Sequence, residues 1–216
     1  MANFTDDAGD FDVAAFAAKN QKQILIAVGA VLVIGAATWF TLSAQRLKEE
    51  RAEQAFSAAE RSFQGGNRQL AETDLGKIVQ RYGGTSAGVR ASILLAKNEF
   101  YQGKLNDGIT TLRKAAGTGA SGPFRAEIYA LIGAGFENLT KYDSAAVSYA
   151  QASAAATIQA DRDVYDSDQA RTLGLAGKKA DALKIWQRLA AKESSPVAAD
   201  ARLRAAELTA TPAKGS

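Results

Sequence analysis

The 216-residue sequence contains no histidine and no cysteine, and only three prolines. Each absence excludes something. Without histidine or cysteine there is no Ser-His-Asp or Cys-His nucleophilic centre, no thiolate chemistry and almost no ligand set for a transition metal. Carboxylates, lysine, tyrosine and serine are what remains for chemistry. The lack of disulfides fits a reducing and an oxidising compartment equally well. Val and Ile are sparse outside one apolar run, so an extended sheet is not expected. Few prolines and abundant Ala, Glu, Lys, Gln and Arg point instead to an all-α chain.

Charge of either sign is also scarce as a block. The net charge is +3, from 26 Lys and Arg against 23 Asp and Glu. Asp6, Asp7, Asp10 and Asp12 face only Lys19 and Lys22 in the first 45 residues, which leaves +5 on the rest. Those positive charges are interspersed with acids, so the chain lacks the electrostatic footprint of a nucleic-acid binder. No nucleic acid, metal or cofactor is expected.

One long apolar run is present. Ile24 to Leu42 (ILIAVGAVLVIGAATWFTL) is nineteen residues without a charge. As a helix it spans roughly 28 Å, close to the hydrocarbon thickness of a bilayer. Ile24 and Leu32 mark its start and middle, and Trp39 and Phe40 stand near its end as interfacial anchors. Gly29 and Gly35 are six apart and do not form a GxxxG pairing motif. A cleaved signal peptide would need a basic start and a small-x-small cleavage site. This tail is acidic, and Trp39, Phe40 and Leu42 crowd the cleavage zone. A buried core helix is the other alternative, but nineteen uncharged residues are long for one. The expectation is an uncleaved, single-pass anchor contacting the bilayer through residues 24–42. Lys19 and Lys22 precede it, whereas Arg46, Lys48 and Arg51 follow, diluted by Glu49, Glu50 and Glu53. Positive charges alone lean by one residue towards a cytoplasmic C-terminal domain. Before the span, Asp12 is placed to cap a short juxtamembrane helix (VAAFAAKNQK), with Phe11 and Phe16 resting on the lipid surface.

Beyond Ala44 the sequence repeats itself. Ala71, Gly108, Ala145 and Ala182 are small and 37 residues apart. Leu75, Leu112, Tyr149 and Trp186 repeat the interval with large apolar side chains. The turns do so too: Gly66-Asn67, Gly103-Lys104, Thr140-Lys141 and Gly177-Lys178. A second small column, Ala59, Ala96, Gly133 and Ala170, precedes the first by twelve. Two small positions straddling a turn mark where the paired helices of a hairpin approach closely, and the bulky residue four further on fills the groove to the next hairpin. Val197 to Leu208 (VAADARLRAAEL) is amphipathic, as a terminal capping helix must be.

Chemical motifs are weak. Asp161, Asp163, Asp166 and Asp168 crowd eight residues, but an EF-hand needs Gly and Glu where Asp166 and Thr172 stand. The simpler reading is a solvated, acid-rich helix start favoured by the dipole. Gly133-Ala-Gly135-Phe-Glu-Asn138 lacks the last glycine of a dinucleotide fingerprint and no strand precedes it. There is no Walker A sequence. The stretch Gly117 to Pro123 reads as the turn between the second and third units. No acid is set in a context for general acid–base work, so the protein is expected not to be an enzyme.

The repeat resembles the tetratricopeptide (TPR) pattern, best in the third unit: Tyr129, Ile132, Gly133 and Phe136, then Tyr142, Ala145, Tyr149 and Ala152. The period exceeds the usual 34 by three, the customary proline is missing from the first three units, and the first unit has Ala55, Ala58 and Ser62 where larger residues are usual. The whole layout — acidic tail (1–23), span (24–42), TPR-like domain of about four hairpins plus cap (43–209), small polar tail (210–216) — resembles the YfgM-type family of bacterial membrane-anchored TPR proteins. The resemblance implies the bacterial inner (cytoplasmic) membrane, a cytoplasmic N-terminus, a periplasmic repeat domain, and association with the Sec translocon and periplasmic chaperones. It opposes the one-residue charge bias and outweighs it. The alternative is a structural accessory subunit of a large membrane complex, respiratory or photosynthetic. In either case the partners are proteins. Partner contacts are expected on the first helices, off the small columns: Arg61, Asn98, Glu99, Tyr101, Asn138 and Arg171.

Overall fold

The computed structural model describes residues 21–210, and all regular structure there is helical. The expected juxtamembrane helix before residue 21 and the tail beyond 210 lie outside the described residues. The helices are α1 (Gln21–Gln64), α2 (Arg68–Tyr82), α3 (Ser86–Tyr101), α4 (Leu105–Ala116), α5 (Arg125–Asn138), α6 (Tyr142–Ala155), α7 (Gln159–Leu175), α8 (Lys179–Ala190) and α9 (Ala198–Thr209). A 3-10 turn, Gly119–Phe124, occupies the link read as the turn between the second and third units. No helix boundary falls at the expected domain border between residues 42 and 43, because α1 has helix-forming residues straight through it.

The chain divides into two compact units, one ending at Leu47 and one beginning at Lys48. In the first unit, every described side chain from Gln21 to Leu42 is exposed. Leu25, Ile26, Leu32, Trp39 and Phe40 are among them, the last two at 70% and 68%. The side chain of Ile24 lies outside the described residues. Thr38 donates its hydroxyl to the Ile34 carbonyl (2.8 Å) and Thr41 to that of Thr38 (2.9 Å), so these two hydroxyls need no water. A helix apolar on all sides has no face to present to water. By length and composition it is apolar enough to cross a membrane.

The second unit is a stack of four hairpins: the end of α1 with α2, α3 with α4, α5 with α6, and α7 with α8, closed by α9. Each hairpin turns on one residue in the left-handed region: Gly66, Gly103, Thr140 and Gly177, with φ of 77°, 76°, 56° and 79°. They sit at the 37-residue period. Threonine adopts this conformation in the third unit at a cost of about 1 kcal/mol. Asn67 caps α2 by accepting from Leu70 N–H, and Thr85 caps α3 by accepting from Gly88 N–H.

Both small columns are buried throughout. A Cβ on Gly133 would lie 3.0 Å from the Tyr149 ring, and one on Gly108 would collide with Phe100. The expected close approach of paired helices is therefore what fixes these residues. The bulky column, Leu75, Leu112, Tyr149 and Trp186, is buried as well. Three apolar clusters follow the chain: around Phe56 and Leu75, around Ile109, Ile128 and Phe136, and around Trp186 and Leu189. Phe56 supplies the bulk that Ala55 and Ala58 do not.

Candidate protein-interaction surfaces

The exposed side of the first helices carries a ladder of ion pairs between successive hairpins. Glu53 pairs with Arg90 at 2.9 Å, and Lys97 with Glu127 at 2.8 Å. Arg171 pairs with Glu137 through both oxygens and also with Asp168 at 3.1 Å. Tyr149 donates its hydroxyl to the same Glu137 (3.2 Å). The Arg171 hydrogen bonds hold the Glu137 carboxyl below its ordinary range, against the opposing effect of burial. Burial, with the nearby Asp168 and Glu137 charges, raises the Tyr149 phenol. Half-exposed pairs of this kind contribute little stability each. They do leave these charges already partnered within the protein.

The residues expected to meet a partner scatter. Arg61 and Asn138 are exposed. Tyr101 is 69% exposed, and Arg68 lies 4.3 Å over its ring and 5.5 Å over that of Phe63. Arg171 is exposed and lines a cavity of about 290 Å³ with Trp186 and Leu208. Asn98 and Glu99, by contrast, are buried. Asn98 faces α2 and donates its amide to the Arg68 carbonyl (3.0 Å). The Glu99 carboxyl is raised above its ordinary value by burial, with Asp107 and Glu72 adding repulsion and a Thr111 hydrogen bond and Lys104 opposing. Its Oε2 has no hydrogen-bond partner among the described residues.

The acid-rich start of α7 is a correction, because two of its four carboxylates are buried rather than solvated. Asp163, 2% exposed, accepts from Lys192 (2.7 Å) and Gln159 (2.8 Å). Asp166 accepts from Arg188 (2.8 Å). Burial opposes ionisation of Asp163, but hydrogen bonds from Lys192, Gln159 and Ser195 more than offset it and lower its carboxyl. The cations come from α8 and the segment after it, which nothing near Asp163 in sequence announces.

Two openings lie beside the second helices, away from the expected first-helix contacts. One of about 600 Å³ is walled by α4, α5 and α6, with Tyr129, Ile132 and Phe136 at its floor. Another, of about 550 Å³, is walled by α6, α7 and α8, with Arg162, Arg188 and Lys192 at its rim. Among the described residues no group of three or more acids is placed to hold a metal ion.

Paired helices, small-residue contact columns and a left-handed turn every 37 residues define a TPR-like α-solenoid. A family model described as a tetratricopeptide repeat-like domain matches residues 15–130, more than half of the chain, and the protein belongs to that family. Solved structures of similar fold include the nearly identical TPR-like repeats of a Podosopora anserina putative kinesin light chain (17% identity, TM-score 0.58, 74% of this chain and 86% of that one). Pseudomonas aeruginosa pilF (18%, 0.55, 74% and 68%) and the MamA protein (17%, 0.53, 74% and 86%) are similar to the same extent. At these identities the likeness is one of fold. No curated protein matches the chain.

Proposed function

We propose that the protein is a membrane-anchored protein–protein interaction module, in which residues 24–42 form a single span and the repeats from residue 43 to 209 recruit partners. TPR-like repeats generally mediate protein–protein interaction and are generally non-catalytic scaffolds. The observation that carries the anchor is the N-terminal stretch of α1, apolar on every side and exposed at every described side chain through Leu42. On the resemblance to the YfgM-type layout, the span sits in the bacterial inner membrane, the repeat domain is periplasmic, and the partners are the Sec translocon and periplasmic chaperones. Exposed first-helix residues Arg61, Tyr101, Asn138 and Arg171 are candidate contacts.

The test exploits the absence of cysteine. A single cysteine at Ser57 or Gln102 is treated in sealed spheroplasts with a membrane-impermeant maleimide. Labelling without lysis agrees with a periplasmic repeat domain; labelling only after lysis contradicts it. Mass spectrometry of what co-purifies in mild detergent then separates the partners. Stoichiometric Sec components or chaperones support this reading, and one bioenergetic complex makes the protein an accessory subunit.

A further inference from the structure

The two large openings beside the second helices are the same place in successive repeats. Ala116 and Gly117 in the first correspond to Ser153 and Ala154 in the second, 37 residues on; Tyr129 corresponds to Asp166 and Gln151 to Arg188. They flank one helix, α6. Its exposed ridge (Asp143, Val147, Gln151) runs between them, with Ser144 and Ser148 on one flank and Ser153 on the other. The first groove has an apolar, aromatic floor of Tyr129, Ile132 and Phe136 within a mixed wall that includes Arg113, 5.1 Å over the Phe136 ring, and Asp143; Val147 is 60% exposed at its edge. The second is cationic towards solvent. Its acids are buried, whereas Arg188 and Lys192, which they hold, are 49% and 34% exposed at the side chain. Arg162 is exposed beside them, fastened to the Ala156 and Thr157 carbonyls at 2.9 and 3.0 Å. The buried carboxylates thus present two cations outward, and the two carbonyls present the third.

We propose that these adjoining grooves form one bipartite docking surface for a linear segment of a partner protein, which places an apolar or aromatic side chain in the α4–α5–α6 groove and an acidic side chain in the α6–α7–α8 groove. Charge selects the occupant: with Asp163 and Asp166 buried beneath them, Arg188 and Lys192 join Arg162 in giving the groove a positive outer face, which disfavours a basic segment and favours an acidic one. Crossing one helix means covering about 10–12 Å, so at about 3.3 Å per residue the two side chains stand three or four positions apart. This rests on the reading of the chain as a protein-interaction module and names the face and the partner chemistry.

The test uses the full chain in detergent micelles and a short fluorescein-labelled Gly/Ser peptide with Phe and Glu four positions apart. Fluorescence anisotropy is read against protein-free micelles at about 0.1 M salt. Replacing Glu by Lys, or Phe by Ala, is expected to weaken binding by about tenfold or more. Val147→Glu, on the exposed ridge, is expected to weaken it similarly with an unchanged melting curve. The double variant Asp166→Asn/Arg188→Gln removes one of the three outward cations together with its buried counter-ion, and should reduce the preference for Glu over Lys while keeping that for Phe. Absence of peptide binding, or affinity indifferent to these variants, overturns this docking surface. The interaction-module reading would then still stand or fall on the co-purification experiment.

Discussion

One helix, α1, is built for two different surroundings. Through Leu42 its large side chains are exposed on every side. From Lys48 onward it shows a stripe: Ala52, Phe56 and Ala59 are buried, while Arg51, Gln54 and Arg61 are exposed. The backbone is α-helical in both. Side-chain pattern alone therefore separates a stretch suited to hydrocarbon from one suited to packing on a neighbouring helix in water. Polarity is handled differently too. Within the apolar stretch, Thr38 and Thr41 turn their hydroxyls back on the helix itself; beyond it, Glu49 and Glu53 reach a different helix, α3.

That contrast can be broken or sharpened by substitution. The largest effect is expected from Phe56→Ala, which empties the core between α1, α2 and α3 and should cost about 3–5 kcal/mol in urea unfolding followed by circular dichroism. Membrane retention should be untouched. Glu49→Gln comes next. Its carboxylate accepts from the Ser86 and Ala87 N–H groups (3.1 and 3.0 Å) at the start of α3, and loss of that charged cap should cost about 1–2 kcal/mol by the same measurement.

Glu99→Gln should act in the opposite direction and depend on pH. Burial raises the Glu99 carboxyl, so its protonated form is the one the fold favours. Its contribution is fully present below the ordinary glutamate range and is lost as pH rises through the raised value. The variant is therefore expected to equal the parent in acid and to be the more stable of the two at neutral pH in paired unfolding curves. Leu32→Ala is expected to have the smallest effect, within about 0.5 kcal/mol on repeat-domain stability, since Leu32 is exposed and outside the three clusters. A large loss there would mean that the apolar stretch of α1 is a core helix after all.

Much of the fold was legible in the sequence because its constraints are steric and recur. Gly133 cannot grow without meeting Tyr149, and each hairpin needs one left-handed residue, so small columns and turns repeat at 37 residues even where other positions drift. The surfaces were less legible. Asn98 stands at the position of exposed Arg61 one repeat earlier, yet it is buried against α2, so equal repeat position did not mean equal exposure. Asp163 and Asp166 read as solvated because their partners, Lys192 and Arg188, lie 29 and 22 residues away on the next element. The grooves depend on three helices at once, so no single stretch of sequence announces them.

The central claim is that the apolar stretch of α1 holds an interaction solenoid to a membrane. The most direct measurement is flotation of membranes in a density gradient after alkaline carbonate washing, with the full chain expressed in a bacterial host. Recovery of the protein in the floating lipid fraction, and its loss from that fraction in an Ile34→Asp/Leu32→Asp variant, is the result expected. Release of the unaltered protein into the carbonate supernatant would contradict the account.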